Sequence, residues 1–110
     1  MVASPIILAY FTAWSIYNRA YFVSDIPGDK ITHINYAFAN IGWDGRITIG
    51  DSWADTEKTF NGDTWDQPLR GNFNQLIKLK EKYPHLQTLI SVGGWVKNFL
   101  LNRFFLLNKF

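Results

Sequence analysis

Residues 73–95 read FNQLIKLKEKYPHLQTLISVGGW, and this stretch decides the fold. Phe73, Leu76, Ile77, Lys80 and Tyr83 recur at helical spacing with Lys and Glu between them, which predicts an amphipathic helix. Pro84 stops it, because the residue before a proline is pushed out of the helical region. Thr88 to Val92 follows at once as a short apolar run ending in Gly93-Gly94-Trp95, the pattern of a buried strand. A helix that delivers the chain straight into a buried strand is half of a parallel crossover unit.

Upstream, the other half is visible. Ile6 to Phe11 is nearly continuous in apolar residues and predicts a first strand buried on both faces. Thr12 to Phe22 reads as an aromatic-rich loop. Asp25-Ile26-Pro27 offers an N-cap with proline near the first helical position, so a short helix is expected to begin there, against the influence of Gly28. Ile31 to Asn40, ITHINYAFAN, is a second strand. Trp43-Asp44-Gly45-Arg46 is a turn built on Asp-Gly, and Ile47-Thr48-Ile49 alternates as a short return strand. From Gly50 to Gly71 the chain is polar and long for a loop in a compact domain, and such loops often carry function.

The order is strand, helix, strand, long loop, helix, strand. It predicts an α/β architecture of parallel strands joined by right-handed crossovers. Three parallel strands leave two open edges and half-covered faces, so pairing or aggregation through those edges and a marginally packed chain are expected.

Composition narrows the classes. The chain has 110 residues, 47% hydrophobic and 18% charged, enough to bury the core of one domain. A net charge of +2 gives no concentrated basic face of the kind nucleic-acid binders carry. Lys78, Lys80 and Lys82 read as the solvated face of the helix. Cysteine is absent, which excludes disulfides and thiolate metal sites. The opening residues lack a basic n-region and their apolar run is too short for a signal peptide or a membrane span. No transmembrane segment is expected, and the localisation stays unknown. Aromatics make up 17%, with five Trp. Trp at that density suggests planar surfaces for a ligand such as a sugar ring, with core and interface packing as the competing reading.

Residues 96–110 differ in kind. Between Phe99 and Phe110 only Phe, Leu, Asn, Arg and Lys occur, with no cap and no turn residue. Three readings stay open: a basic amphipathic helix at a membrane surface, a core helix, or sequence without a folding history in this context, such as a frame-shifted end. The last fits the abrupt shift best. The division expected is therefore 1–95 and 96–110.

AYFTAW at 9–14, THINYAFANI at 32–41 and the whole of 53–95 resemble the opening part of the glycoside hydrolase family 18 catalytic domain, bacterial chitinases in particular. Ser91-Val92-Gly93-Gly94 is similar to the family's S-x-G-G signature. The resemblance implies part of a (β/α)₈ TIM barrel, about its first three parallel strands with their connecting helices and a long loop after the second. It implies hydrolysis of β-1,4-N-acetylglucosamine linkages in chitin by a substrate-assisted retaining mechanism, with chitin or its oligosaccharides as partner and no cofactor or metal. In the family a Glu of a D-G-x-D-x-D-W-E motif is the general acid. That motif does not occur here: the nine acidic residues are Asp25, Asp29, Asp44, Asp51, Asp55, Glu57, Asp63, Asp66 and Glu81. Asp51, Asp55 and Glu57 come nearest, but their spacing differs and they read as a solvated loop cluster. No catalytic residue is therefore expected in this chain, and a truncated chitinase inactive on its own is the reading. A sugar-binding remnant in which Trp14, Trp43 and Trp95 hold the polymer is the first alternative, and a structural or interaction fragment the second.

What the resemblance carries over is support. Tyr10 and Ser91 match residues that hydrogen-bond the innermost Asp of the acid motif, with two core polar groups as the alternative. Phe38 matches an aromatic on the wall of the sugar pocket, with core packing as the alternative. Trp95 matches a Trp that stacks on a sugar ring, and Gly93 and Gly94 let the backbone turn beneath substrate. Two departures stand out: Ala9 replaces a frequent Gly before Tyr10, and the pattern fades after Val96-Lys97-Asn98-Phe99.

Overall fold

The computed structural model describes residues 5–93 and the backbone of residues 105–108. Strand β1 (Leu8–Thr12) leads through two 3-10 turns, Ala13–Ile16 and Val23–Asp25, into β2 (His33–Ile41). A tight turn returns the chain as β3 (Ile47–Ile49). A π-type turn at Trp53–Glu57 lies in the long loop, followed by α1 (Gly71–Lys82), β4 (Gln87–Val92) and β5 (Phe105–Asn108). The sheet order is β1-β2-β4-β5, with β3 also on β2. β1, β2 and β4 are parallel, as the alternation of elements predicts, and β3 and β5 run antiparallel to their neighbours.

The register sorts side chains onto two faces. Ala9, Phe11, Ile34, Tyr36, Thr88 and Ile90 share one face, Tyr10, Asn35, Ala37, Leu89 and Ser91 the other. The first face is the core side, where Phe11, Ile34 and Tyr36 pack with Leu76 and Leu79 of α1 and with Val23, Ile26 and Ile31 of the β1–β2 connection. The Tyr36 ring stacks on Phe11 at 5.9 Å and meets Phe73 edge-on at 5.2 Å.

Several expectations are corrected. The helix expected from Asp25 onward does not form. The Asp25 carboxylate accepts the Phe22 N–H at 2.9 Å, so it closes the turn before it and caps nothing after it. Gly28 lies so close to the Tyr83 ring that a Cβ would meet its Cδ2 at 2.3 Å. β1 is not buried on both faces: at this edge strand Leu8 and Tyr10 are exposed, while Asn35, Ala37 and Ser91 on the same face of the inner strands are buried. On α1 the stripe that faces the core runs through Asn72, Leu76 and Leu79, and Ile77 is exposed. Two open edges were expected, yet β5 covers the edge of β4. Residues 105–108 are therefore strand, which excludes the helical readings of the tail over that span. The rest of residues 96–110 lies outside the described residues.

The turn after β2 is as the Asp-Gly pair predicts. Gly45 takes φ +78°, Arg46 N–H donates to Asp44 Oδ1 at 3.0 Å, and Gly42 N–H closes the loop onto the Arg46 carbonyl at 2.8 Å. No helix among the described residues is long and apolar enough to cross a membrane.

Candidate functional site

The site begins with a fault in the β2–β4 ladder. Ala37 pairs with Ser91 and Ala39 with Val92, so the register shifts at Phe38. A bulge of this kind turns its side chain out of the regular pleat. The Ala37–Phe38 peptide is cis. The Phe38 ring lies 5.7 Å from that of Trp14, which sits in the 3-10 turn just past β1. The long loop then crosses the bulge at Gly50, where a Cβ would meet the Phe38 carbonyl at 2.8 Å, so only glycine permits this approach.

Asp51 follows and is held firmly. Tyr17 OH donates to its Oδ2 at 2.7 Å, and Ala54 N–H donates to its Oδ1 at 3.1 Å. Burial, then the hydrogen bond to Asp51 and its charge, push the Tyr17 hydroxyl up to about 12. Gly93 ends β4 with φ +90° and donates its N–H to the Ala39 carbonyl at 2.9 Å. Together Ala13, Trp14, Phe38, Asn40, Gly50, Asp51 and Gly93 line an open cavity of about 380 Å³. It lies beyond the C-terminal ends of β1, β2 and β4, the end at which parallel-stranded folds gather their loops into sites. Two aromatic faces, one carboxyl and one amide make it suited to a ring that is apolar on its face and polar at its rim. Among the described residues no group of three His, Cys, Asp or Glu stands close enough to hold a metal ion.

The residues expected from sequence divide. Phe38 and Gly93 line the cavity, and so does Trp14. Tyr10 and Ser91 do not. Both lie on the second face of the sheet, Tyr10 at 60% exposure and Ser91 buried. The Ser91 Oγ has no hydrogen-bond partner among the described residues, nor has either polar atom of the buried Asn35 amide. Trp43 stands fully exposed in the β2–β3 turn and lines no part of the cavity. Gly94 and Trp95 lie outside the described residues.

The solvated reading of Asp51, Asp55 and Glu57 is overturned for Asp55, which is 1% exposed. Tyr36 OH donates to its Oδ1 in a short hydrogen bond. Burial, opposed by that bond and reinforced by the charge of Asp51, raises the Asp55 carboxyl above its ordinary range. Tyr36 is raised as well, first by burial and then by the Asp55 charge. One signal for this pair was present in the sequence: a tyrosine in a central strand needs a partner for its hydroxyl once buried. Which loop residue answers it depends on how the long loop folds back.

The family model for glycosyl hydrolases family 18 matches residues 6–105. The chain belongs to this family. It is 53% identical over 100 residues to Chitinase C of Streptomyces lividans, covering 80% of this chain and 16% of that protein. It is 45% identical over 119 residues to Chitinase A1 of Niallia circulans, covering 81% of this chain and 17% of that one. Among solved structures, chitinase ChiA74 from Bacillus thuringiensis superposes with a TM-score of 0.78 at 36% identity, covering 84% of this chain and 21% of that chain. A Group IV chitinase of Ostrinia furnacalis in complex with allosamidin superposes with a TM-score of 0.68 at 35% identity, covering 86% and 23%. The chain thus spans roughly a fifth of the relatives it matches, and its mixed α/β sheet is similar to part of their catalytic domains.

Proposed function

We propose that this chain forms one wall of a chitin-binding cleft, and that β1, β2 and β4 are the first three strands of an eight-stranded barrel. The observation that carries the reading is the Trp14–Phe38 pair over the cavity, with the Asp51 carboxyl beside it at the strand ends. The C–H face of an N-acetylglucosamine ring stacks on the indole, and its hydroxyls donate to Asp51. Tyr10, Phe38, Ser91, Gly93, Gly94 and Trp95 are the residues this segment contributes to the family's site. Tyr10 and Ser91 supply hydroxyls to an acidic residue of the D-G-x-D-x-D-W-E motif, which the chain lacks. Without that motif no general acid faces a glycosidic bond, so this chain binds and does not cleave.

The test is a fluorescence titration of the full chain with tri-N-acetylchitotriose, run beside a fluorogenic chitobioside assay. Expected are saturable binding, a loss of affinity of about tenfold or more in Trp14→Ala, and turnover at background. Turnover above background would overturn the non-catalytic reading. Binding untouched by Trp14→Ala would remove the cavity from the site.

A further inference from the structure

Asp55 is not among the residues lining the Trp14–Phe38 cavity; it lines a second one with Ala39, Phe73 and Ile90, and it is one of the most deeply buried polar residues described. Its environment links elements far apart in sequence. Asn72 Nδ2, on α1, donates to Tyr36 OH at 3.0 Å, and Tyr36 OH on β2 donates to Asp55 in the turn Trp53–Glu57. Each end of this chain of hydrogen bonds is one step from the cavity. At one end, Asp55 N–H donates to the Asp51 carbonyl at 2.8 Å, and Asp51 lines the cavity. At the other, Asn72 Nδ2 also reaches the Ala13 carbonyl at 3.5 Å, and Ala13 and Trp14 line the opposite side. The joint admits no slack: Gly71 has φ +72°, and a Cβ there would meet Thr56 N at 2.4 Å.

We infer that Asp55 is a positioning residue for the cavity, which through Tyr36 and Asn72 sets the Asp51 wall against the Trp14 wall. The inference rests on reading that cavity as the sugar site. The groups facing Asp55 are few. Asp51 on the same loop is its charged neighbour, β2 presents Tyr36, Tyr17 follows the first 3-10 turn and is bonded to Asp51, and α1 presents the uncharged Gly71 and Asn72. Because burial raises the Asp55 carboxyl, the closed turn holds a proton more readily than an opened one. The resulting stabilisation is full below the ordinary carboxylate range and is lost as pH rises through the raised value.

The experiment is hydrogen exchange on the full chain from acid to neutral pH, corrected for intrinsic rates. It compares the amides at positions 54 and 55 with those of Leu76 and Leu79 in α1. In the wild type, protection at 54 and 55 is expected to fall with rising pH while the α1 amides stay level. Asp55→Asn keeps an acceptor for Tyr36 OH and is expected to keep protection but lose the pH slope. Asp55→Ala is expected to speed exchange at 54 and 55 about tenfold, the factor for ~1.4 kcal/mol of lost buried hydrogen bonding. If that variant does not fold, Tyr36→Phe removes the same hydrogen bond from its donor side and is read in the same way. An unchanged slope in Asp55→Asn, unchanged protection in the Ala and Phe variants, or an equal loss at Leu76 and Leu79 would overturn the inference. A parallel titration with tri-N-acetylchitotriose separates the two claims. Failure of the wild type to bind rejects the sugar site, while the exchange data still decide whether Asp55 sets the wall.

Discussion

The two faces of the β1–β2–β4 sheet use alternate residues of the same strands and meet opposite fates. On the face toward α1, Ile34 and Tyr36 are fully enclosed and even the tyrosine hydroxyl is paired. On the other, Leu8 and Tyr10 lie exposed, and Asn35 and Ser91 are buried with polar atoms that have no partner among the described residues. An unpaired buried polar group costs about 1–3 kcal/mol, so the second face subtracts stability that the first supplies. The strands are composed for burial on both sides, and on the second side the edge strand β1 leaves Leu8 and Tyr10 exposed. The comparison teaches that the apolar run sets what a strand needs, while its neighbours decide whether the need is met.

That contrast can be broken at its strongest point first. Gly71→Ala, at the joint between α1 and the turn Trp53–Glu57, combines a left-handed φ with backbone atoms at 2.4 to 2.5 Å. Neither can relax without moving the helix, so loss of the cooperative transition in urea is expected. A smaller effect sharpens the contrast: Leu76→Ala on the packed side should cost about 3 kcal/mol in chemical denaturation. Leu8→Ala on the open side should stay within about 0.5 kcal/mol. Equal costs for the two would mean that the open face is covered in solution. Opposite in sign is Asn35→Leu, which replaces an amide unpartnered among the described residues by an apolar side chain of similar size and should be neutral or stabilising by about 1 kcal/mol. A clear loss of stability would show that Asn35 has a partner.

How much was legible follows from range. The α1–β4 unit was legible because its signals are local: helical spacing, Pro84 as a stop, then an apolar run. The turn at Asp44-Gly45 was legible because the left-handed residue it needs is written in two positions. The missing short helix at Asp25 was misread because a carboxylate can cap either way along the chain, and here it turned back to Phe22. Of the cavity lining, Phe38 and Gly93 are residues the family pattern singled out, and Trp14 is one of the tryptophans weighed for a ligand. Asp51 and Asp55 were read as solvated because loop composition says nothing of where a loop returns. Tyr17 on the turn after β1 and Tyr36 on β2 bring them in, across the close approach at Gly50.

The sequence by itself determined the strands, the helix, the tight turn and the family, and it shows that no D-G-x-D-x-D-W-E acid motif is present. Those properties depend on neighbours a few residues apart. The tertiary structure alone decided that Phe38 is bulged out over Trp14 and that β5 takes the edge of β4. It alone buried Asp55 and left Tyr10 exposed on the edge strand while Asn35 and Ser91, on the same face, are buried. The reason is physical: burial and pairing are properties of two surfaces, and a strand carries only one of them.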